Sequence, residues 1–293
     1  MTYEKVQQLA TALRPGMAAL AFTLLHAGCS LAVDSGREQC KQDSDCAARG
    51  EAFASSVCIS SLCEPNPAWA CTLSPTTPSA QKAMTTPLEL YDIASSAPIV
   101  GAQVELCNKG DFNCVNPFNS VATDAQGNAP VSVPSNFAGY VAIRAETYNP
   151  TLLFPTWPLE ESDTLGNVPV APAGAENFLS AQLGVPVIAG RGLVFIQVQD
   201  CQGQWAKGAT LDFEGTMTGA QPYYAFGGLP SASTTAVDDS GQAGVINAVP
   251  GILGIAAKMN GRAVGQASIL VRNGYISIVR IIPGLVPNGG SLN

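Results

Sequence analysis

Leu193-Val-Phe-Ile-Gln-Val-Gln-Asp200, followed by Ala206-Lys-Gly-Ala-Thr-Leu-Asp-Phe213, decides how the rest of the chain is read. Both stretches are short, rich in branched and aromatic residues, and bounded by turn formers, the signature of strands rather than of a helix. Downstream, Asp239-Ser-Gly241 is a turn, and Pro250-Gly-Ile-Leu-Gly-Ile-Ala-Ala257 opens another strand. Gly265 to Val271 and Tyr275 to Ile282 read as a closing strand pair. Upstream the same order is already present. Leu88-Glu-Leu-Tyr-Asp92 alternates like a half-buried strand, and Ile99-Val-Gly-Ala-Gln-Val-Glu-Leu106 follows a turn. Asp124-Ala-Gln-Gly127 answers Asp239-Ser-Gly241, and Gly139-Tyr-Val-Ala-Ile-Arg-Ala145 answers the strand after Pro250. Two units with the same turn chemistry in register support each other more than either does alone. Between them, Glu176-Asn-Phe-Leu-Ser-Ala-Gln-Leu183 is expected to form one short helix.

Composition agrees. The 293 residues include 29 Gly and 21 Pro, only 12% are charged, and the formal net charge is −8. Such a chain favours many short strands joined by turns. No cluster of Lys and Arg offers the basic face that nucleic acid requires, so that class of partner is excluded.

The order of strand, Asp, turn, Gly-Ala, then an Asp-to-Gly turn, then Val-Pro before a Gly-rich strand, resembles the carboxypeptidase regulatory-like, or transthyretin-like, β-sandwich. Asp200, Gly208, Asp239-Ser-Gly241, Ala248-Val-Pro-Gly251 and Val271-Arg-Asn-Gly274 carry the resemblance in the second copy. It implies Greek-key sandwiches without catalytic residues, acting as accessory, adhesive or glycan-contacting parts of exported proteins. The expected fold is therefore mainly β: two tandem Greek-key β-sandwich domains behind a small disulfide-rich module. The expected boundaries are a signal peptide over 1–28, a cysteine-rich stalk over 29–66, one sandwich over 67–172, and a second, with the connecting helix, over 173–293.

The address lies at the N-terminus. Lys5 and Arg14 precede the apolar run Met17-Ala-Ala-Leu-Ala-Phe-Thr-Leu-Leu25, which is about half of what a spanning helix needs and ends in small residues. Ala27-Gly28-Cys29 resembles the bacterial lipobox, which implies lipidation of Cys29 and attachment to a membrane through that lipid. His26 stands where that pattern prefers Leu, and cleavage after Ser30-Leu31-Ala32 is the alternative exit. The expected location is the cell envelope, as an outer-membrane or cell-surface lipoprotein, or else the periplasm or the exterior. Envelope proteins or polysaccharide are the expected partners.

Either exit leaves eight cysteines, an even set that reads as disulfides in an oxidising compartment: Cys40, Cys46, Cys58, Cys63, Cys71, Cys107, Cys114 and Cys201. The first four admit three connectivities, and also a four-thiolate zinc site, although they lack the close pairs of a zinc ribbon. Cys107 and Cys114 flank a short loop, which leaves Cys71 for Cys201.

Chemistry is thinly represented. The one histidine is His26, inside the leader, so the mature chain has no His for a catalytic triad or a His-ligated metal, and no cofactor is expected. The adjacent carboxylates Glu160-Glu161 and Asp238-Asp239 point to opposite faces if extended, which is not how a glycosidase pair works. Ser79-Ala-Gln-Lys82 matches a short penicillin-binding string without its companion motifs. Asp34, Asp43, Asp45 and the Asp238 turn offer oxygens for calcium but no calcium loop. The remaining candidates are aromatic: Tyr223, Tyr224 and Phe226 in a long inter-strand loop, and Trp157 and Trp205 in other connections, as flat faces for sugars or partners.

Overall fold

The computed structural model describes residues 38–50, 53, 56–73, 82–155, 159 and 164–284. Cys29, His26, Asp34, Trp157, Glu160, Glu161 and Ser79 lie outside them.

The first described element group is held by sulfur. Helix α1 (Asp43–Ala47) packs on a hairpin of β1 (Ser56–Ile59) and β2 (Leu62–Pro65). Disulfides join Cys40 to Cys58 and Cys46 to Cys63. Cys40 and Cys46 are buried, while no other described side chain of this module enters the hydrophobic core, so cross-links replace a core here.

Next comes a 3₁₀ segment, Pro67–Leu73, which falls inside the bounds expected for the first sandwich. It docks elsewhere. Trp69 is 5% exposed and belongs to the core of the second sandwich, Cys71 is bonded to Cys201, and the Cys201 N–H donates to the Ala68 carbonyl.

The first sandwich comprises β3 (Met84–Asp92), β4 (Gln103–Asn108), β5 (Asn119–Ala122), β6 (Asn128–Val133), β7 (Gly139–Arg144), β8 (Thr151–Phe154) and β9 (Gly166–Val170). Helix α2 (Ala175–Leu183) leads to the second: β10 (Gly192–Val198), β11 (Thr210–Glu214), β12 (Gln221–Phe226), β13 (Leu229–Ser231), β14 (Gln242–Ala248), β15 (Gly251–Met259), β16 (Arg262–Val271) and β17 (Ile276–Ile281). The alternating burial of β6, β10 and most of β3 is the period-two pattern that their sequences carry.

The repeat read from the turns recurs in the pairing. β3 lies between antiparallel β6 and parallel β9, as β10 lies between antiparallel β14 and parallel β17. Across each sandwich, β4-β7-β8 corresponds to β11-β15-β16. The copies part at β5, which joins β4, whereas β12 joins β14 and adds the hairpin partner β13. Gly127 and Gly241 hold equivalent turns with φ of 79° and 64°. A Cβ at either position would stand 2.4 Å from the Leu90 carbonyl oxygen or 2.8 Å from that of Val198, so glycine is required twice for the same reason.

The units are not beads on a string. β8 pairs in parallel with β17, from Thr151 opposite Ile276 to Phe154 opposite Val279. This merges half of each sandwich into one nine-stranded sheet, ordered β13-β12-β14-β10-β17-β8-β7-β4-β5, faced by the three-stranded sheets β6-β3-β9 and β11-β15-β16. The expected closing pair is thereby corrected. β16 and β17 lie in different sheets, because β17 is apolar enough to sit between two strands, with Ser277, Ile278, Val279 and Ile281 all buried. The Ser277 hydroxyl crosses back to donate to the Leu270 carbonyl.

Each sandwich has its own core, and a third cluster of Cys107, Cys114, Tyr140, Ala142, Leu152 and Leu270 bridges them. Since β4 runs parallel to β8, and β8 to β17 and β10, the units stand side by side in opposite senses. The Asp92 and Asp124 turns are at one end of the molecule, and the Asp200 and Asp238 turns are at the other.

Candidate functional site

The aromatic candidates separate on inspection. Residues 221–226 form strand β12, not a loop, and Tyr223, Tyr224 and Ala225 are all buried. Tyr223 and Tyr224 are 7% and 8% exposed. Burial pushes the Tyr223 phenol up, and a Cβ on Gly244 would collide with its ring, so the glycine exists to admit the tyrosine. The Tyr224 hydroxyl accepts the Leu211 N–H at 3.0 Å. Neither ring can stack on a ligand; both are core residues. The sequence reading of them as contact residues fails because, although neighbouring rings on a strand face opposite sides of the sheet, both sides are covered here.

Phe226 and Trp205 remain outside, at 70% and 40% exposed, and a residue that sequence reasoning passed over joins them. Leu229, 55% exposed, pairs with Phe226 across a turn of Gly227 and Gly228, both at positive φ. Gly-Gly between apolar residues is itself a hairpin signal and was the clue available in the sequence. The adjoining turn ties the three together. The Gly228 N–H reaches the Asp238 carboxylate at 3.5 Å, the Gly241 N–H donates to the Asp238 carbonyl, and the Trp205 ring edge lies against Gly241.

The nearby acids are occupied. Asp238 accepts the Ser240 hydroxyl and backbone N–H, and the hydroxyl first, with those N–H groups, holds its carboxyl below the usual range. Asp239 pairs with Lys207 at 3.0 Å, both side chains largely exposed. In the N-terminal module, Asp45 accepts the Lys41 and Gln42 N–H groups and Asp43 accepts that of Cys58. All of these carboxylates face donors, which is turn building and not a cage for a cation.

Cys40, Cys46 and Cys63 bring their sulfurs within 4.8 Å of one another. Each is bonded in a disulfide, and disulfide sulfur offers no thiolate to zinc. Cys107 is bonded to Cys114, so every described cysteine is oxidised. A cavity of about 180 Å³ at the opposite end, lined in part by Asn149, Glu176, Arg191 and Asn247, falls below the ~300 Å³ at which ligand pockets begin. Its Asn247 side chain is spent on the connector, accepting the Ile188 N–H and donating to the Pro186 carbonyl.

No family model matches this chain, and no curated protein is similar to it. Among solved structures, the shaft pilin SpaA of Lactobacillus rhamnosus GG is 11% identical over 72% of this chain and 100% of its own, with a TM-score of 0.23. The minor pilin GBS52 of Streptococcus agalactiae is 12% identical over 70% of this chain and 99% of its own, at 0.21. The Bacillus anthracis TIE protein is 13% identical over 68% of this chain but only 34% of its own, at 0.22. Likenesses of this order carry no argument about function.

Proposed function

We propose that the chain is a non-enzymatic protein of a bacterial cell envelope, held there through lipid on Cys29 and serving as a structural or adhesive element. The observation that carries this reading is the pattern of disulfides. The four bonds include one that ties the N-terminal arm to the second sandwich over a separation of 130 residues, and such a framework needs an oxidising compartment. The absence of any histidine after His26, and the engagement of Asp238 and Asp239 in local bonds, support a role without chemistry.

Crosslinking the tagged chain on intact envelopes tests it, with captured partners identified by mass. A stoichiometric envelope protein is the expected outcome. Hydrolysis by the purified chain that disappears in Asp239→Asn would overturn the non-enzymatic reading. Carbohydrate binding is the second reading, favoured by the exposed rings of Phe226 and Trp205. Polysaccharide binding lost in Phe226→Ala with Trp205→Ala would bring it to first place; unchanged binding would remove those residues from it.

A further inference from the structure

Hairpin tips in water are ordinarily polar, because turn residues gain nothing from burial. The β12–β13 tip is Phe226-Gly-Gly-Leu229, with both large side chains in solvent, and Trp205 stands across the Asp238–Gly241 turn from it. Three exposed apolar side chains grouped at one end are the kind of surface that marks an interaction site, in contrast to single exposed residues.

What covers them follows from where the chain comes in. The 3₁₀ segment Pro67–Leu73 is fixed to this same end by the Cys71–Cys201 bond and by the Ala68 carbonyl. The described C-terminus returns here too, with Gly284 against Cys71. Only the small module separates that segment from Glu38, and the stretch from Cys29 to Glu38 reaches at most about 30 Å when extended. An anchor at Cys29 therefore brings this end, and not the Asp92 and Asp124 end, toward the bilayer.

We infer that Trp205, Phe226 and Leu229 seat this end of the second sandwich in the interfacial layer of a lipid bilayer. Indole and phenyl rings favour that layer, where an apolar body and the water boundary meet. Lys207 and Asp239 offset each other beside the tip, and the remaining Asp238 carboxylate is engaged by Ser240 and Gly228, so the contact suits electrically neutral rather than anionic headgroups and has no basic patch. This rests on the reading that the chain is tethered at Cys29.

The test uses the full chain exported with its own leader, purified, and mixed with phosphatidylcholine vesicles brominated on the acyl chains. Bromine quenches tryptophan only at close range, which makes Trp205 a native depth probe. Quenching is expected in the unaltered chain, gone in Trp205→Phe, reduced at least threefold in Phe226→Ser with Leu229→Ser, and retained in Ile93→Ser with Val100→Ser at the opposite end. Quenching that is absent, or indifferent to Trp205, overturns the lipid contact, as does a protein crosslinked to this tip without quenching. The mass of the N-terminal peptide reads acylation separately. An unacylated chain with Trp205-dependent quenching keeps the tip and rejects the anchor; an acylated chain without it does the reverse.

Discussion

At the scale of single residues, the division of labour in Tyr223-Tyr-Ala-Phe226 is the sharpest feature. Tyr224→Phe removes the acceptor of the Leu211 N–H, and Leu211 is buried. A buried donor left unpaired costs about 1–3 kcal/mol, whereas an exposed truncation such as Phe226→Ala stays within about 0.5 kcal/mol. Urea midpoints should therefore shift for the buried tyrosine and not for the exposed phenylalanine. Equal shifts would mean that the Tyr224 hydroxyl is not the acceptor of the Leu211 N–H. Asp238 supplies a second residue-scale prediction. Its carboxyl titrates below the usual value because the Ser240 hydroxyl and nearby N–H groups favour the charged form. In the unfolded chain it titrates near the ordinary aspartate value of about 3.9. The stabilisation is thus present above that pH and is lost as pH falls through the lower folded value. Melting temperature should drop on acidification below about pH 4 in the wild type, and the drop should be shallower in Asp238→Asn. An unchanged acid slope would show that this carboxylate contributes nothing to acid sensitivity.

At the scale of elements, three edge strands share one device. Pro130 in β6, Pro169 in β9 and Pro230 in β13 each sit where the backbone points away from the sheet. The neighbours establish the direction. The Ser132 N–H, two residues along β6, points out to the Asn119 side chain, and the Val170 carbonyl, next to Pro169, points inward to Ile93. Pro230 is next to the turn-closing Phe226–Leu229 pair, so alternation turns it outward. A missing N–H at each position denies an incoming strand its donor. Replacing all three with Thr should produce concentration-dependent association in sedimentation velocity; a triple variant that sediments like wild type at every concentration would show that something else guards these edges. None of this pairing was visible in the sequence, and neither were β9, β12 and β13 as strands, though several other strands were. Leu88 to Asp92 and Leu193 to Val198 announce themselves by local alternation, and the Asp-to-Gly turns by their chemistry. Which strand neighbours which is non-local information. Adjacent β16 and β17 were therefore read as partners, although β17 gains more burial between β10 and β8. The same limit hid Leu229, which acquires meaning only once the Gly227-Gly228 turn sets it beside Phe226.

At the scale of the whole molecule, the arm that precedes the first sandwich is fastened to the second. Trp69 could not have been assigned from sequence, since nothing near it distinguishes a linker from a plug; its burial depends on a core built from residues more than a hundred positions later. The Cys71–Cys201 bond closes a span of 130 residues, which by loop entropy is worth about 5 kcal/mol before any strain is subtracted. Its mechanical consequence is larger. A pull between the N-terminal arm and the tail beyond Gly284 runs from Cys71 through sulfur to Cys201 and into the second sandwich. The first sandwich lies inside the closed span and carries no tension along that path, held by contacts that include the β8–β17 seam and the cluster around Tyr140 and Leu270. A surface protein loaded through its anchor would then lose the second unit before the first. Single-molecule stretching between those two points resolves this. Compared with the oxidised wild type, Cys71→Ser with Cys201→Ser should release extra extension of about 430–470 Å, the reach of 130 residues at 3.3–3.6 Å each. It should also add an unfolding event for the first sandwich. Equal extension in the two chains would mean that the arm is not stapled in the folded protein, and the orientation argued for the Trp205 end would fall with it.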